Sequence, residues 1–441
     1  MAPVSPPGGA ASRGSMFSSL QHRDFRLVWA GSLCASMAMN VQQAARGWLI
    51  FEMTHSAARL SWVVISFTLP QLLFALFGGA LADRLPKKQL MIAAQSLNFV
   101  AACGMAYVIF SHEVTFWHFI GLGIFNGTVL ALSMPSRQSI IPELVGDTDL
   151  VNAIALNTAS MNLSRILGPV VAGLTIAVFH IDGQIPYFGA GLSYVLIAAL
   201  YFMGVMTLTR VTIAARPARA GARPGMLQEI GAGIAYIRNS KIMLGLVATG
   251  TLPMMFGQPM QNLIPAFNTT VVHGGPLGNG LLLAATGSGA IFGTLLFAKY
   301  GDSGRKGRLL FAGLAMWGIG IALFSRATVL PVALALAAFA AIFSSSLVAL
   351  NRTLMQLHAP ADMRGRIMSF DMMSNGLMPL GVVPIAYLAD AIGVGSALLV
   401  SAACLLAITA GLYGFAPQVR SIDTGRPALP RVVPGAAVAG D

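Results

Sequence analysis

The sequence predicts an all-α membrane protein whose twelve transmembrane helices form two pseudo-symmetric six-helix bundles. Three observations predict it. The 441 residues are 56% hydrophobic and only 10% charged, with a mean hydropathy of +0.74. Soluble domains carry about 25% charge, so a soluble enzyme, a DNA-binding protein and a disordered scaffold are excluded. Apolar runs of roughly bilayer-crossing length, about 20 residues, recur from Arg26 to Phe415. Features of the first six runs reappear in the last six, as internally repeated transporters show.

The elements follow in order. Residues 1–25 are rich in Pro, Gly, Ala and Ser and lack a long apolar core, so they read as a flexible cytosolic tail and not as a cleaved signal peptide. Six spans are expected at Leu27–Phe51, Leu60–Ala82, Leu90–Phe110, Phe116–Ile140, Val151–Phe179 and Tyr187–Leu208, giving an N-terminal bundle over 26–209. A polar connection over 210–241 is read as a cytosolic loop. Six more spans are expected at Ile242–Val271, Leu277–Phe297, Leu309–Phe324, Leu330–Leu357, Ile367–Ile392 and Ser396–Phe415, giving a C-terminal bundle over 242–416, with a cytosolic tail over 417–441. The runs are too long for barrel strands and do not alternate. Cys34, Cys103 and Cys404 fall in apolar runs and predict no disulfide.

The net charge of +12 is a topology signal. Arg23 and Arg26, Arg84, Lys87 and Lys88, Arg137, the arginines of 210–238, Lys299, Arg305, Lys306 and Arg308, then Arg352, Arg364 and Arg366, all fall on one side of the predicted topology. The opposite loops hold little beyond Arg59 and Arg326. Both termini are therefore expected in the cytosol. The central loop lacks interleaved aromatics, so no nucleic-acid partner is expected. The repeat is local as well as global. Ile154 precedes Leu167-Gly168 by the spacing at which Ile367 precedes Leu380-Gly381, and Asp83 with Lys87 is echoed by Asp302 with Lys306.

The segment from Gly79 to Met91, Gly-Ala-Leu-Ala-Asp-Arg-Leu-Pro-Lys-Lys-Gln-Leu-Met, resembles the signature loop of the major facilitator superfamily between helices two and three, with Pro86 where that pattern has Gly. Met134–Val145, Asn152–Asn157, Arg165–Gly173 and Met363–Ser369 look like the enterobactin-exporter and transmembrane secretion effector branch. The resemblance implies the superfamily fold and export of siderophores, macrolides or other drugs. It also implies a latch: Asp83, with Gly79, Arg84, Lys87 and Lys88, would face the positive N-terminal end of the eleventh helix near Arg364 and Arg366, and Asp302, Arg305 and Lys306 would repeat that chemistry. The plainer reading of Asp83 and Arg84 is a surface ion pair.

Ionisable groups inside apolar runs cost free energy unless they face a cavity or a partner. Arg46, Arg165 and Asp371 are the candidates for an intramembrane charge or coupling role. Arg46 is also placed to snorkel outward, Arg165 to hold neighbouring helices, and Asp371 to pair with Arg352 or Arg366. Asp390 reads as an outer-end, solvated acid. Gly168, Pro169 and Gly173 resemble, in part, the helix-five motif of antiporters, and equally describe a kinked, closely packed helix.

By analogy with the family, helices one, four, seven and ten line the cavity. They offer Ser36, Asn40 and Gln43, then Asn126 and Ser133, then Met254, Met255, Phe256, Gln258, Gln261 and Asn262, and Ser344, Ser345 and Ser346. The mixture suits a bulky amphipathic ligand, and hydrogen bonding between helices is the alternative for each residue. There is no phosphate-binding Gly-x-x-x-x-Gly-Lys-Ser/Thr loop, no metal-ligand spacing and no cofactor motif, and Gly121/Gly123 and Gly287/Gly289 read as helix-packing pairs.

The expectation is a non-enzymatic transporter in a bacterial inner membrane. It would export a siderophore-like or amphipathic small molecule by alternating access, exchanged for protons, with the lipid bilayer and the cargo as partners and no obligate protein partner. Broad macrolide or multidrug efflux is the alternative, and a non-transporting scaffold or sensor on the same fold is the rival of another class.

Overall fold

The computed structural model describes residues 18–179, 187–212, 226–300, 306–360, 363–364, 367 and 375–422. Every regular element among them is helical. The long helices are α1 (Arg23–Thr54), α2 (Ala57–Arg84), α3 (Lys87–Phe110), α4 (Phe116–Ser139), α5 (Ile141–Val178) and α6 (Phe188–Thr209). After a shorter α7 (Met226–Asn239) come α8 (Lys241–Gly257), α9 (Pro259–Asn262), α10 (Ile264–Phe267), α11 (Gly275–Tyr300), α12 (Lys306–Phe324), α13 (Leu330–His358), α14 (Pro379–Ile392), α15 (Val394–Phe415) and α16 (Pro417–Arg420).

Among the described residues, nine helices are long and apolar enough to cross a membrane. They match the second to sixth, eighth to tenth and twelfth expected spans. The other three differ for separate reasons. The first span forms one unbroken helix, α1, but carries Asn40, Gln42, Gln43 and Arg46 and is too polar to meet the same measure. The seventh is broken into α8, α9, α10 and a π-helical turn over Asn268–Val272. Pro259 and Pro265 begin α9 and α10, and a proline cannot donate to the carbonyl four residues back. Of the eleventh span, the described helix is the 14-residue α14, because residues 368–374 lie outside the described set.

The chain divides into two compact units, Met1–Leu49 with Ser66–Ala220, and Ile50–Ile65 with Gly221–Asp441. The division in the connection falls between Ala220 and Gly221. The tip joining α1 to α2 belongs to the second unit, a placement that sequence spacing does not reveal.

In the first unit, Phe25, Val28, Met91, Ile140, Ile141, Val145, Ala153, Leu208 and Val211 form a buried cluster at the α2–α3 turn end. That end is tied by polar bonds. Asp149 accepts from the Ser18 hydroxyl at 2.7 Å and meets His22 Nε2 at 3.0 Å. Asn152 Oδ1 accepts from the Ser19 hydroxyl at 2.6 Å. Asp24 accepts from the Thr212 hydroxyl at 2.9 Å. Pro86, the departure from the signature pattern, sits at the N-cap of α3 with φ −58° and ψ 121°. Its missing N–H is harmless there, because the position before a helix has no donor to supply to it. Gly146, at φ +66°, turns the chain from a short first turn into the long part of α5.

Close helix approach repeats in both units. A Cβ on Gly168 of α5 would lie 2.6 Å from Asn40 Cβ and 3.1 Å from Val41 N of α1. In the second unit a Cβ on Gly381 of α14 would collide with the Met255 carbonyl of α8. The two glycines that the repeat spacing aligns thus do the same work, each seating one helix on the backbone of another. Gly123 and Gly127 of α4 seat on Ser66 and Phe67 of α2, and Gly289 and Gly293 of α11 seat on the Ala338 and Ile342 carbonyls of α13. Gly121 meets nothing within 4 Å, so of that expected pair Gly123 alone makes the contact.

Candidate functional site

In the first unit, a polar side chain of α4 reaches the polar face of α1. Arg137, near the end of α4, donates through Nη2 to the Ser32 carbonyl at 2.7 Å and to the Ser36 hydroxyl at 2.8 Å. The guanidinium therefore staples α4 to α1 through the two N–H groups of one nitrogen. Ser36 is buried and Asn40 half-buried, with Asn40 Nδ2 donating to the Ser36 carbonyl at 2.8 Å. Gln43, one turn on, is exposed. Asn126 of α4 is buried, and Ser133 satisfies itself on the Val129 carbonyl at 2.8 Å.

Arg46 is half-buried and lies over the Phe67 ring of α2, 5.8 Å from its centroid. The buried Tyr194 hydroxyl of α6 has no hydrogen-bond partner among the described residues. Arg165 of α5 is exposed. Among the described residues no carboxylate pairs with Arg46, Arg137 or Arg165. The first unit therefore presents positive charge inside its spans without an acid to balance it, which disfavours cations nearby and favours anions. Gly168, Pro169 and Gly173 are all buried, and the first of them makes the α1 contact described above.

In the second unit a cavity of about 40 Å³ opens between α8, α12 and α13. Its walls include Thr249, Thr251, Met254, Trp317, Ser344, Asn351 and Arg352. That volume holds one or two water molecules. Thr249 donates to Asn351 Oδ1 at 3.3 Å across it. Of the expected cavity residues, Met254 and Ser344 line this space. Met255, Ser345, Phe256, Gln258 and Asn262 are half-buried outside its wall, and Gln261 is exposed. The break in α8 has its own compensation, because the Ser401 hydroxyl of α15 donates to the Phe256 carbonyl. Trp317 and Asn351 escaped the sequence reading. An indole and an amide in apolar runs look like ordinary core until the packing places them on a cavity.

The signature loop resolves into two ties within the first unit. Lys87 Nζ meets Glu143 Oε1 at 2.6 Å and donates to the Ser139 carbonyl at 3.3 Å. Lys88 donates to the Thr209 and Val211 carbonyls at 3.3 and 2.5 Å, at the C-terminal end of α6, where a cation is favoured. The Lys87 pair joins the α3 start to the α5 start, and Glu143 was not singled out from sequence. Gly79, Asp83 and Arg84 fall in the last turns of α2, whose side chains lie outside the described set. Asp302, Arg305, Arg366 and Asp371 also lie outside the described residues. Lys306 begins α12 and is half-buried, and Arg364 is exposed with its Nε donating to the Ala359 carbonyl at 3.3 Å. Asp390, read from sequence as solvated, is exposed and also accepts three hydrogen bonds from the α1–α2 tip.

Long apolar helices seated on one another by small residues describe a body built to cross a membrane. A family model, transmembrane secretion effector, matches residues 14–429. The chain belongs to this family. Secretion effectors of this kind sit within the major facilitator superfamily of multi-pass membrane transporters for small molecules. Macrolide efflux protein A of Streptococcus pyogenes is 25% identical over 410 residues, covering 90% of this chain and 97% of that protein. The staphyloferrin A transporter of Staphylococcus aureus is 23% identical over 357 residues, covering 80% and 86%. Among solved structures, the nucleoside transporter NupG superposes with a TM-score of 0.72 at 12% identity, over 89% of this chain and 99% of that one, which supports the fold alone.

Proposed function

We propose that this secretion effector is a twelve-helix exporter of the inner membrane, with both termini in the cytosol, that moves a siderophore-like or amphipathic small molecule outward by alternating access in exchange for protons. The repeated seat of Gly168 on α1 and Gly381 on α8 is the observation that carries the reading. Two equivalent units of this kind are what alternating access requires. The relative named for macrolide efflux supports outward movement, and the relative named as a staphyloferrin A transporter supports a siderophore-like cargo.

Within this reading Asp83, Arg84, Arg364 and Arg366 act as the cytosolic latch, with Asp302, Arg305 and Lys306 as its repeat. The tie of Lys87 to Glu143 supports it by fixing the start of α3 beside Asp83. Asp371 is the proton carrier, since it and Asp390 are the acids inside apolar runs. The cargo contacts are the polar faces of α1, α8 and α13.

The test is comparative metabolite and drug profiling of a deletion strain and its parent, in cells and medium, under iron limitation. A compound retained in the deletion strain's cells and missing from its medium is the expected result. Unchanged metabolites with lowered resistance to several unrelated drugs would replace dedicated export by multidrug efflux. No change in either would overturn the exporter reading in favour of a scaffold or sensor.

A further inference from the structure

The tip between α1 and α2 is two residues long, His55 and Ser56. His55 closes α1 in the left-handed region at φ +47°. α1 and α2 run through the first unit for most of their length, but their tip, Ile50–Ile65, belongs to the second. Asp390 is what holds it there. The Ser56 hydroxyl donates to Asp390 Oδ2 at 2.6 Å, the Ala57 N–H donates to Oδ1 at 2.6 Å, and the Ala58 N–H donates to Oδ2 at 3.1 Å. Ser56 Oγ in turn accepts from the Arg59 N–H at 3.3 Å. Three of the four N–H groups that α2 leaves free at its start are thereby satisfied, two of them by a side chain more than 300 residues away. One turn back along α14, Tyr387 accepts from Trp62 Nε1 at 3.0 Å. Ala57, Ala58, Leu60, Ser61 and Val63 of the tip are buried.

The position of Asp390 is revealing. It lies in the last turn of α14, where the helix dipole disfavours an acid. The same carboxylate is favoured at the N-terminus of α2. Its placement makes sense only toward the tip. Both it and Tyr387 are exposed, so the hydrogen bonds of this contact lie at an accessible edge, where water can replace them when they break.

We propose that Asp390 is a releasable catch: it docks the α1–α2 tip onto the end of α14 in the state described, and lets go of the tip during the conformational cycle. The proposal rests on the alternating-access reading and gives it a second latch, on the side away from the termini. It makes Asp390 a positioning residue for the conformational cycle, with no contact to cargo.

The experiment places spin labels on full-length protein in lipid nanodiscs, after Cys34, Cys103 and Cys404 are replaced by Ser. The labels sit at Arg59→Cys on the tip and Ser396→Cys on α15, both exposed positions. Distances are read by pulsed electron resonance. The expected result is a dominant short distance in the parent. In Asp390→Ala a discrete longer distance should grow about tenfold relative to the short one, within the 5–150-fold span of ordinary conformational coupling. Ser56→Ala should move the ratio the same way by less, and Asp390→Asn, which keeps an acceptor, should fall between. A distribution in Asp390→Ala that matches the parent overturns the catch. A broadened short peak without a second distance also overturns it, because that is fraying of a fixed cap. The readout needs no cargo, so failure of the exporter reading would show in the profiling experiment alone.

Discussion

Gly168→Ala tests the seating of α5 on α1, and its size can be worked from the geometry. The added methyl would stand 2.6 Å from Asn40 Cβ and 3.1 Å from the Asn40 and Val41 backbone atoms. Carbon atoms in good contact are about 3.5–4.0 Å apart, so α5 must retreat by roughly 1 Å. Backbone atoms supply part of the obstruction, and no rotamer change removes it. Overpacking of this kind costs about 1–3 kcal/mol, against a gain of up to ~1 kcal/mol from replacing Gly by Ala in a helix. The proper control is Gly104→Ala on α3, where a Cβ meets nothing within 4 Å and only the gain remains. Thermal unfolding of the two purified variants in one detergent reads the difference. Gly168→Ala should unfold at a lower temperature than the parent and Gly104→Ala at the same or a higher one. Transport should fall further than stability in Gly168→Ala, because Asn40 and the Ser36 seat of Arg137 lie within a turn of the contact. If both variants behave alike, the close approach of α5 and α1 is not what constrains this glycine.

Arg137→Ala removes the Nη2 donor that reaches Ser32 and Ser36 together, and leaving a buried acceptor unpaired costs about 1–3 kcal/mol; a melting temperature equal to the parent's would contradict the staple between α4 and α1. Glu143→Gln breaks the pair with Lys87, whose side chains are 23% and 39% exposed, so stability should change by less than ~1 kcal/mol, while efflux in cells should drop if that end of the first unit belongs to the latch. Ser401→Ala leaves the Phe256 carbonyl without its donor and should lower thermal stability by about 1–3 kcal/mol; full stability would mean that water replaces the hydroxyl. Asp371→Asn should abolish efflux driven by an imposed proton gradient in reconstituted vesicles while sparing the fold, and retention of gradient-driven efflux would remove Asp371 from the coupling role.

Much of the architecture is legible because a bilayer demands it. A run of about 20 apolar residues has few alternatives to a helix, so nine of the expected spans reappear as long helices. The places that resist reading are those where local chemistry departs from the hydrophobic pattern. The seventh span looks continuous in hydropathy, but Pro259 and Pro265 divide it. The polar α1 forms a helix that hydropathy alone undervalues: Asn40 bonds back to the Ser36 carbonyl of its own helix and Arg46 lies over the Phe67 ring of α2. Pairings distant in sequence were not legible at all. Nothing in the spacing connects Lys87 to Glu143, Arg137 to Ser36, or Asp390 to Ala57, since each depends on which helices meet and at what height. Glycine is the exception: the repeat aligns Gly168 with Gly381, and both make the same close approach.

The charges of the two units are unequal in a way that constrains coupling. Arg46, Arg137 and Arg165 lie in the first unit's spans, and no acid in the sequence falls well inside those spans. Guanidinium groups do not release protons in the physiological range. The first unit can therefore attract an anion or anchor helices, but it holds no carboxylate to carry a proton through the membrane. The acids inside apolar runs, Asp371 and Asp390, both belong to the eleventh span of the second unit. Asp390 is engaged by three donors at the tip of α2, which suits it to a mechanical task. Asp371, the other acid of that span, is therefore the residue at which the proposed proton coupling is tested.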